Sequence, residues 1–303
     1  MNHPTRDSPA GRAYLDLQNR ARREKRGTQE LLTLYVVERW LARLSRSAYV
    51  DDFVLKGGML LAAFGNRRPT VDADALARNM PGDPETVAAR VAEIAALPDP
   101  DDGVEFLAET LSTRVIRDDA LYSGLRVVMD ARIATAAVKL RLDINFGDPV
   151  SPEPGMIELP ALRPDASPIR VLGYPIETVL AEKIATAIDL GAANTRVRDY
   201  ADIYTLTRTH RLTHAPAREA LLGTAEFRGT VLRPLSDSVG NIVELRFATY
   251  TAYRRSLGQD GTHLPEQFGD VVEAVAEFAD RLIIDTLHPE VWEPELRRWI
   301  PAP

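Results

Sequence analysis

The chain has 303 residues, is 45% hydrophobic and 27% charged, carries a net charge of −7 and contains no cysteine. That length suits one large domain or two ordinary ones, with a core that needs no disulfides. The missing cysteines exclude thiolate catalysis and cysteine zinc sites and suit a reducing cytoplasm, while the acidity excludes non-specific coating of nucleic acid and leaves room only for local basic patches.

The N-terminal "MNHPTRDSPAGRAYLDLQNRARREKRG" lacks the apolar centre of a signal peptide, and no run reaches the roughly 18 to 20 apolar residues of a spanning helix. A cytoplasmic protein without a membrane partner is therefore expected. Residues 1–10 read as disordered. Two helices are expected between Ala13 and Ser47, the second putting Leu32, Val36, Trp40, Leu41 and Leu44 near one face. The basic residues Arg20, Arg22, Arg23, Lys25 and Arg26 read either as an RNA-gripping patch or as a solvated helix face.

"DDFVLK" predicts a short strand and "GGMLLAAFG" a helix that opens at a glycine pair and stops at Gly65. "RPTVDADALA" alternates as a second strand. "DPETVAARVAEIAAL" predicts an amphipathic helix with Asp83 as its N-cap and Pro84 at its first position. "STRVIR" and "GLRVVMDAR" read as strands, and "AAVKLRLDINFGD" is the clearest period-two segment of the chain. It sets Val138, Leu140, Leu142, Ile144 and Phe146 against Lys139, Arg141, Asp143 and Asn145 on the other face. "PGMIEL" suggests an edge strand, and proline-rich "LPALRPDASP" a connector. Helices then follow over "PIETVLAEKIATAIDLG", "RVRDYADIYTLTRTHRL", "APAREALLG", the stretch from Phe247 to Gly258, and "EQFGDVVEAVAEFADRLIIDTL". The reading is of a mixed α/β half over residues 1–168 and a helical half over 169–303. The five histidines show no metal spacing.

Asp72 and Asp74, two residues apart in a strand, project to one side. Neighbouring carboxylates repel unless a cation lies between them, and Mg²⁺ suits such a pair together with phosphate oxygens. Asp143, on the polar face of its strand, is the natural third carboxylate. Gly57 and Gly58, between a strand and a helix, let the backbone approach a phosphate. Glycine pair, D-x-D pair and downstream strand aspartate each carry little alone and much more together.

"LKGGMLL", "RPTVDADAL", "RLDINFGD", "AEKIATAI" and "RVRDYADIYTL" occur in the order of the AbiEii/MenT family, and from about Val54 to Leu206 the chain resembles these nucleotidyltransferase-like toxins of toxin–antitoxin and phage-defence systems. The resemblance implies an α+β fold with a polymerase-β-like core and a helical C-terminal region that completes the active-site cleft. It implies Gly57 and Gly58 in the nucleotide-binding turn, Asp72 and Asp74 as Mg²⁺ ligands, and Asp143 as third ligand or general base. It further implies Lys183 on the nucleotide's phosphates, Asp202 orienting basic side chains there, and Arg198 among the nucleotide-binding residues. The activity implied is transfer of a nucleoside monophosphate from an NTP, most specifically to the 3′ end of tRNA, with a cognate antitoxin as partner. A protein or small-molecule acceptor, or a non-catalytic NTP-binding protein, are the alternatives. Where the family often has large apolar residues beside the aspartates, this chain has Ala73 and Ala75, which loosens the strand's packing.

Overall fold

The computed structural model describes residues 4–70, 72–118, 122–284 and 288–302. The chain forms two compact units, Met1–Gly147 with Gly155–Gly173, and Asp148–Pro154 with Tyr174–Pro303.

The first unit opens with helices α1 (Pro9–Glu24) and α2 (Thr28–Leu44). Ser8 caps α1 by accepting from the Gly11 N–H at 3.1 Å, so ordered helix begins inside the segment read as disordered; residues 1–3 lie outside the described residues. Strand β1 (Phe53–Lys56) leads into a four-residue helix α3 (Gly57–Leu60) and a 3₁₀ turn. Strand β2 (Ala73–Ala77) follows, then α4 (Pro84–Ala95), whose N-cap Asp83 accepts from the Thr86 N–H at 2.8 Å as expected from sequence. That bond holds the Asp83 carboxyl below its ordinary range. Val71, within the predicted second strand, lies outside the described residues.

Strands β3 (Val104–Asp118), β4 (Tyr122–Ile133) and β5 (Ala136–Phe146) form an antiparallel meander, and β6 (Gly155–Leu159) and β7 (Ile169–Gly173) pair antiparallel. The sheet order is β3-β4-β5-β2-β1-β7-β6, so β6 is the edge strand that its sequence suggested. β2 lies parallel to β5 and antiparallel to β1. Two features departed from the sequence reading. β3 starts well before "STRVIR", and a register shift between Leu107 and Ser112 breaks the alternation that would have marked it. β7 was not foreseen: it lies between the connector, read as ending at Pro168, and the helix, read as starting at Pro175, and five residues there give little periodicity.

One face of this sheet packs on α2. Trp40 meets Phe53 edge-on at 5.7 Å between ring centroids. Under that contact lies an apolar void of about 10 Å³, bounded by Trp40, Leu44, Phe53, Ala73, Ala75 and Leu142. Its lining is apolar, so it offers a water no partners, and both alanines line it. β5 buries its Val138, Leu140, Leu142 and Ile144 on this side, as its alternation predicts, while Phe146 at the strand's end is only half-buried.

The second unit holds α5 (Ile176–Leu190), α6 (Val197–Thr209), α7 (His214–Arg228), a short α8 (Leu235–Ser238), α9 (Ile242–Ser256) and α10 (Phe268–Ile283). Gly191, at φ +50°, ends α5 where the sequence placed its stop. Strands β8 (Leu212–Thr213), β9 (Glu290–Glu293) and β10 (Arg298–Pro301) add a small antiparallel sheet that the sequence reading did not contain. Its aromatic residues anchor it: Trp292 donates to the Thr207 carbonyl at 2.7 Å, and Trp299 stacks on Phe278 at 5.2 Å. His214 is buried and bonds the Arg281 carbonyl at 3.0 Å. No helix among the described residues is long and apolar enough to cross a membrane.

Candidate active site

The site in the first unit starts at the end of β1. Lys56 is extended, and Gly57 then turns into the left-handed region at φ +65°, a conformation that glycine adopts without steric cost. A Cβ built on Gly57 would stand 1.9 Å from Oδ2 of Asp74, so the carboxylate occupies the space of the missing side chain. At Gly58 a Cβ would meet Thr70 Oγ1 at 3.0 Å and Arg68 Nη1 at 3.3 Å. Each glycine thus allows a polar side chain to close on the turn. The helix behind them is shorter than the sequence suggested, with a 3₁₀ turn ending at Gly65 in place of a continuous helix.

Strand pairing lines up the charges. Lys56 on β1 stands opposite Asp74 on β2, Asp74 opposite Asp143 on β5, and Asp143 opposite Arg126 on β4. Opposed residues share a face, so the four side chains make one row across four strands, with positive charge at each end and two carboxylates between. Asp72, two residues before Asp74, receives a bond from Thr70 Oγ1 at 3.1 Å.

Arg126 grips Asp143 with both arms, Nε to Oδ1 at 2.7 Å and Nη2 to Oδ2 at 2.6 Å. This bond raises the guanidinium's pKa further above its already high value, and the charges of Asp143, Asp72 and Asp74 add to the rise. Sequence reasoning missed Arg126 and Lys56. Their strands were recognised, but only the pairing register brings them to the carboxylates.

The sequence expected Asp72, Asp74 and Asp143 to gather around a metal. The two strand aspartates are brought side by side, yet among the described residues no three Asp, Glu or His side chains stand close enough together to hold an ion. Asp143 is turned to Arg126 instead. The donors still fit a hard divalent cation: carboxylate oxygens from Asp72 and Asp74 are the few ligands Mg²⁺ takes when phosphates and water complete its shell.

In the second unit Lys183 on α5 donates to Asp199 Oδ1 at 2.7 Å and to Asp202 Oδ2 at 2.9 Å, both on α6. The three side chains are 12%, 11% and 1% exposed. Asp199 and Asp202, three apart on the helix, share the face turned to the lysine. Arg198, which the resemblance places among the nucleotide-binding residues, is exposed and does not join this group. Of the basic residues near the N-terminus, Arg20 and Arg26 pair with Glu24 and Glu30 on their own face, and Arg22, Arg23 and Lys25 are exposed.

The family model described as nucleotidyl transferase AbiEii toxin, type IV toxin–antitoxin system, matches residues 39–293. No curated protein matches the chain. Among solved structures it is similar to MenT4, a nucleotidyltransferase toxin of Mycobacterium tuberculosis, at 18% identity and TM-score 0.50, over 91% of this chain and 99% of that one. JHP933 from Helicobacter pylori is similar at 16% identity and TM-score 0.47, over 82% and 91% of the two chains. The likeness to MenT4 bears on the fold and agrees with the mixed sheet and helices described above. With the match covering most of its length, the chain belongs to the AbiEii family of nucleotidyltransferase toxins of type IV toxin–antitoxin systems.

Proposed function

We propose that this protein transfers a nucleoside monophosphate from an NTP to the 3′ end of tRNA, in a reaction that depends on Mg²⁺, and that a cognate antitoxin restrains it. The observation that supports this most directly is the register of Asp74 beside Asp143, with the Gly57 turn closed against the Asp74 carboxylate. Two like charges so placed favour a cation between them, and the missing side chain at Gly57 lets the Asp74 carboxylate close on the turn where that cation would be held.

Asp72 and Asp74 would hold the cation. When bound, it offsets phosphate charge and steadies the leaving pyrophosphate. Asp143 is the carboxylate beside them, suited to complete the ligand set or to take the proton of the attacking hydroxyl. The backbone at Gly57 and Gly58 lies against the triphosphate. Lys183, fixed by Asp199 and Asp202, is proposed to meet phosphate charge, with the exposed Arg198 as a further cation for the nucleotide. Because the chain is acidic overall, contact with RNA is local and weakens with salt.

The test is incubation of the purified protein with each α-labelled NTP, Mg²⁺ and two acceptors, total tRNA and total protein. Label at tRNA 3′ ends supports the proposal. Label confined to protein overturns the tRNA acceptor while keeping the chemistry.

A further inference from the structure

We propose that Arg126 is a resident counter-cation of the carboxylate row: it holds Asp143 while no divalent cation is bound, and a cation entering the site must displace it. The inference rests on the metal-dependent reading above and adds a residue that this reading did not contain.

The argument starts from register. Asp74 and Asp143 are paired on neighbouring parallel strands, so their like charges lie side by side. In the absence of a metal cationic side chains must offset them: Lys56 stands opposite Asp74, and the residue opposite Asp143 on the next strand is an arginine. Its fork takes both carboxylate oxygens, at 2.7 and 2.6 Å, the strongest geometry open to such a pair. An Asp143 held in this way presents no free oxygen on that side, and the guanidinium's charge opposes an incoming cation. Asp72 and Asp74 also act on Arg126 electrostatically, from the same row in which Lys56 stands opposite Asp74. The Arg126 side chain is 34% exposed, so it can swing away into water without stranding a buried charge. The alternative, a permanent buttress that keeps Asp143 aimed at the metal, predicts the opposite sign for its removal.

The probe is Mn²⁺, counted by the electron paramagnetic resonance signal of the free ion during titration, with and without NTP. Wild type, Arg126→Gln, Arg126→Lys and the double variant Arg126→Gln with Asp143→Asn are compared, and circular dichroism checks their folds. Without nucleotide, Arg126→Gln is expected to bind Mn²⁺ roughly fivefold tighter than wild type or more, the order of removing one positive charge a few ångströms from a half-wet site. The double variant is expected to lose that gain. If Arg126→Gln does not fold, Arg126→Lys carries the test: it keeps the charge but cannot hold both oxygens, so a smaller tightening is expected. A folded variant that binds Mn²⁺ as weakly as wild type, or more weakly, overturns the inference while wild-type binding with NTP keeps the metal-dependent reading. No Mn²⁺ uptake by any of the proteins, with or without NTP, overturns both.

Discussion

Gly57 and Asp74 share one volume: the carboxylate of the aspartate lies where any side chain on the glycine would have to be, 1.9 Å from the ideal Cβ position. The backbone there is also left-handed, at φ +65°. Two separate constraints, one of space and one of conformation, therefore require glycine at the same residue.

Gly57→Ala must move Asp74 or the turn. The expected result is loss of transfer, with a stability cost of about 1–3 kcal/mol for the strained backbone. Gly65 is the control. Its φ is +76° but nothing lies within 4 Å of its Cβ position, so Gly65→Ala meets only the conformational penalty and keeps activity. Chemical denaturation and transfer assays on the two variants check this; an active Gly57→Ala protein would show that Asp74 has freedom the packing denies it.

The Lys183 group predicts a large structural effect. Asp202 is 1% exposed, and removing the lysine takes a charge partner from a carboxylate that water cannot reach. Lys183→Met is expected to lower stability by about 3 kcal/mol or more. Pairing it with Asp202→Leu, which removes the buried charge as well, is expected to recover much of that loss. Urea denaturation of the single and double variants measures the coupling, and equal stabilities for Lys183→Met and wild type would contradict it.

His263 gives the second unit a pH dependence. Its Nε2 lies 2.8 Å from Thr205 Oγ1, and burial, helped by the charge of Arg208, pushes its pKa below the usual 6.5. Below about 6.5 the unfolded chain takes up a proton that the folded one resists, so stability falls as pH drops through that range until the folded pKa is reached. Denaturation midpoints between about pH 7.5 and pH 5.5 are expected to decline on the acid side, and His263→Gln to flatten that slope. A slope unchanged in the variant would assign it to other groups.

The sequence announced much of this architecture, and the parts it hid have a common cause. The polar face of β5, the Asp83 cap and the stop at Gly191 are local patterns, readable from spacing alone. The pairing of Asp74 with Asp143 was half legible: each aspartate stood on a recognisable strand, but only the parallel register joins them. Arg126 and Asp199 were harder, because their roles depend on which strand or helix lies opposite, and that is a long-range fact. β9 and β10 escaped because four-residue strands carry too little alternation, although Trp292 and Trp299 mark them in the fold. Ala73 and Ala75 were noticed as small for their place, and both line an apolar void in the fold.

The central claim is that the paired aspartates carry the transfer chemistry, and the direct measurement is label transfer from each α-labelled NTP to total tRNA with Mg²⁺, wild type beside Asp74→Ala. The prediction is label with wild type from at least one NTP and a loss of roughly a thousandfold or more in the variant, the scale expected when a group that positions phosphate charge is removed. Equal labelling by a folded Asp74→Ala protein would contradict the account and move the chemistry away from this row of charges.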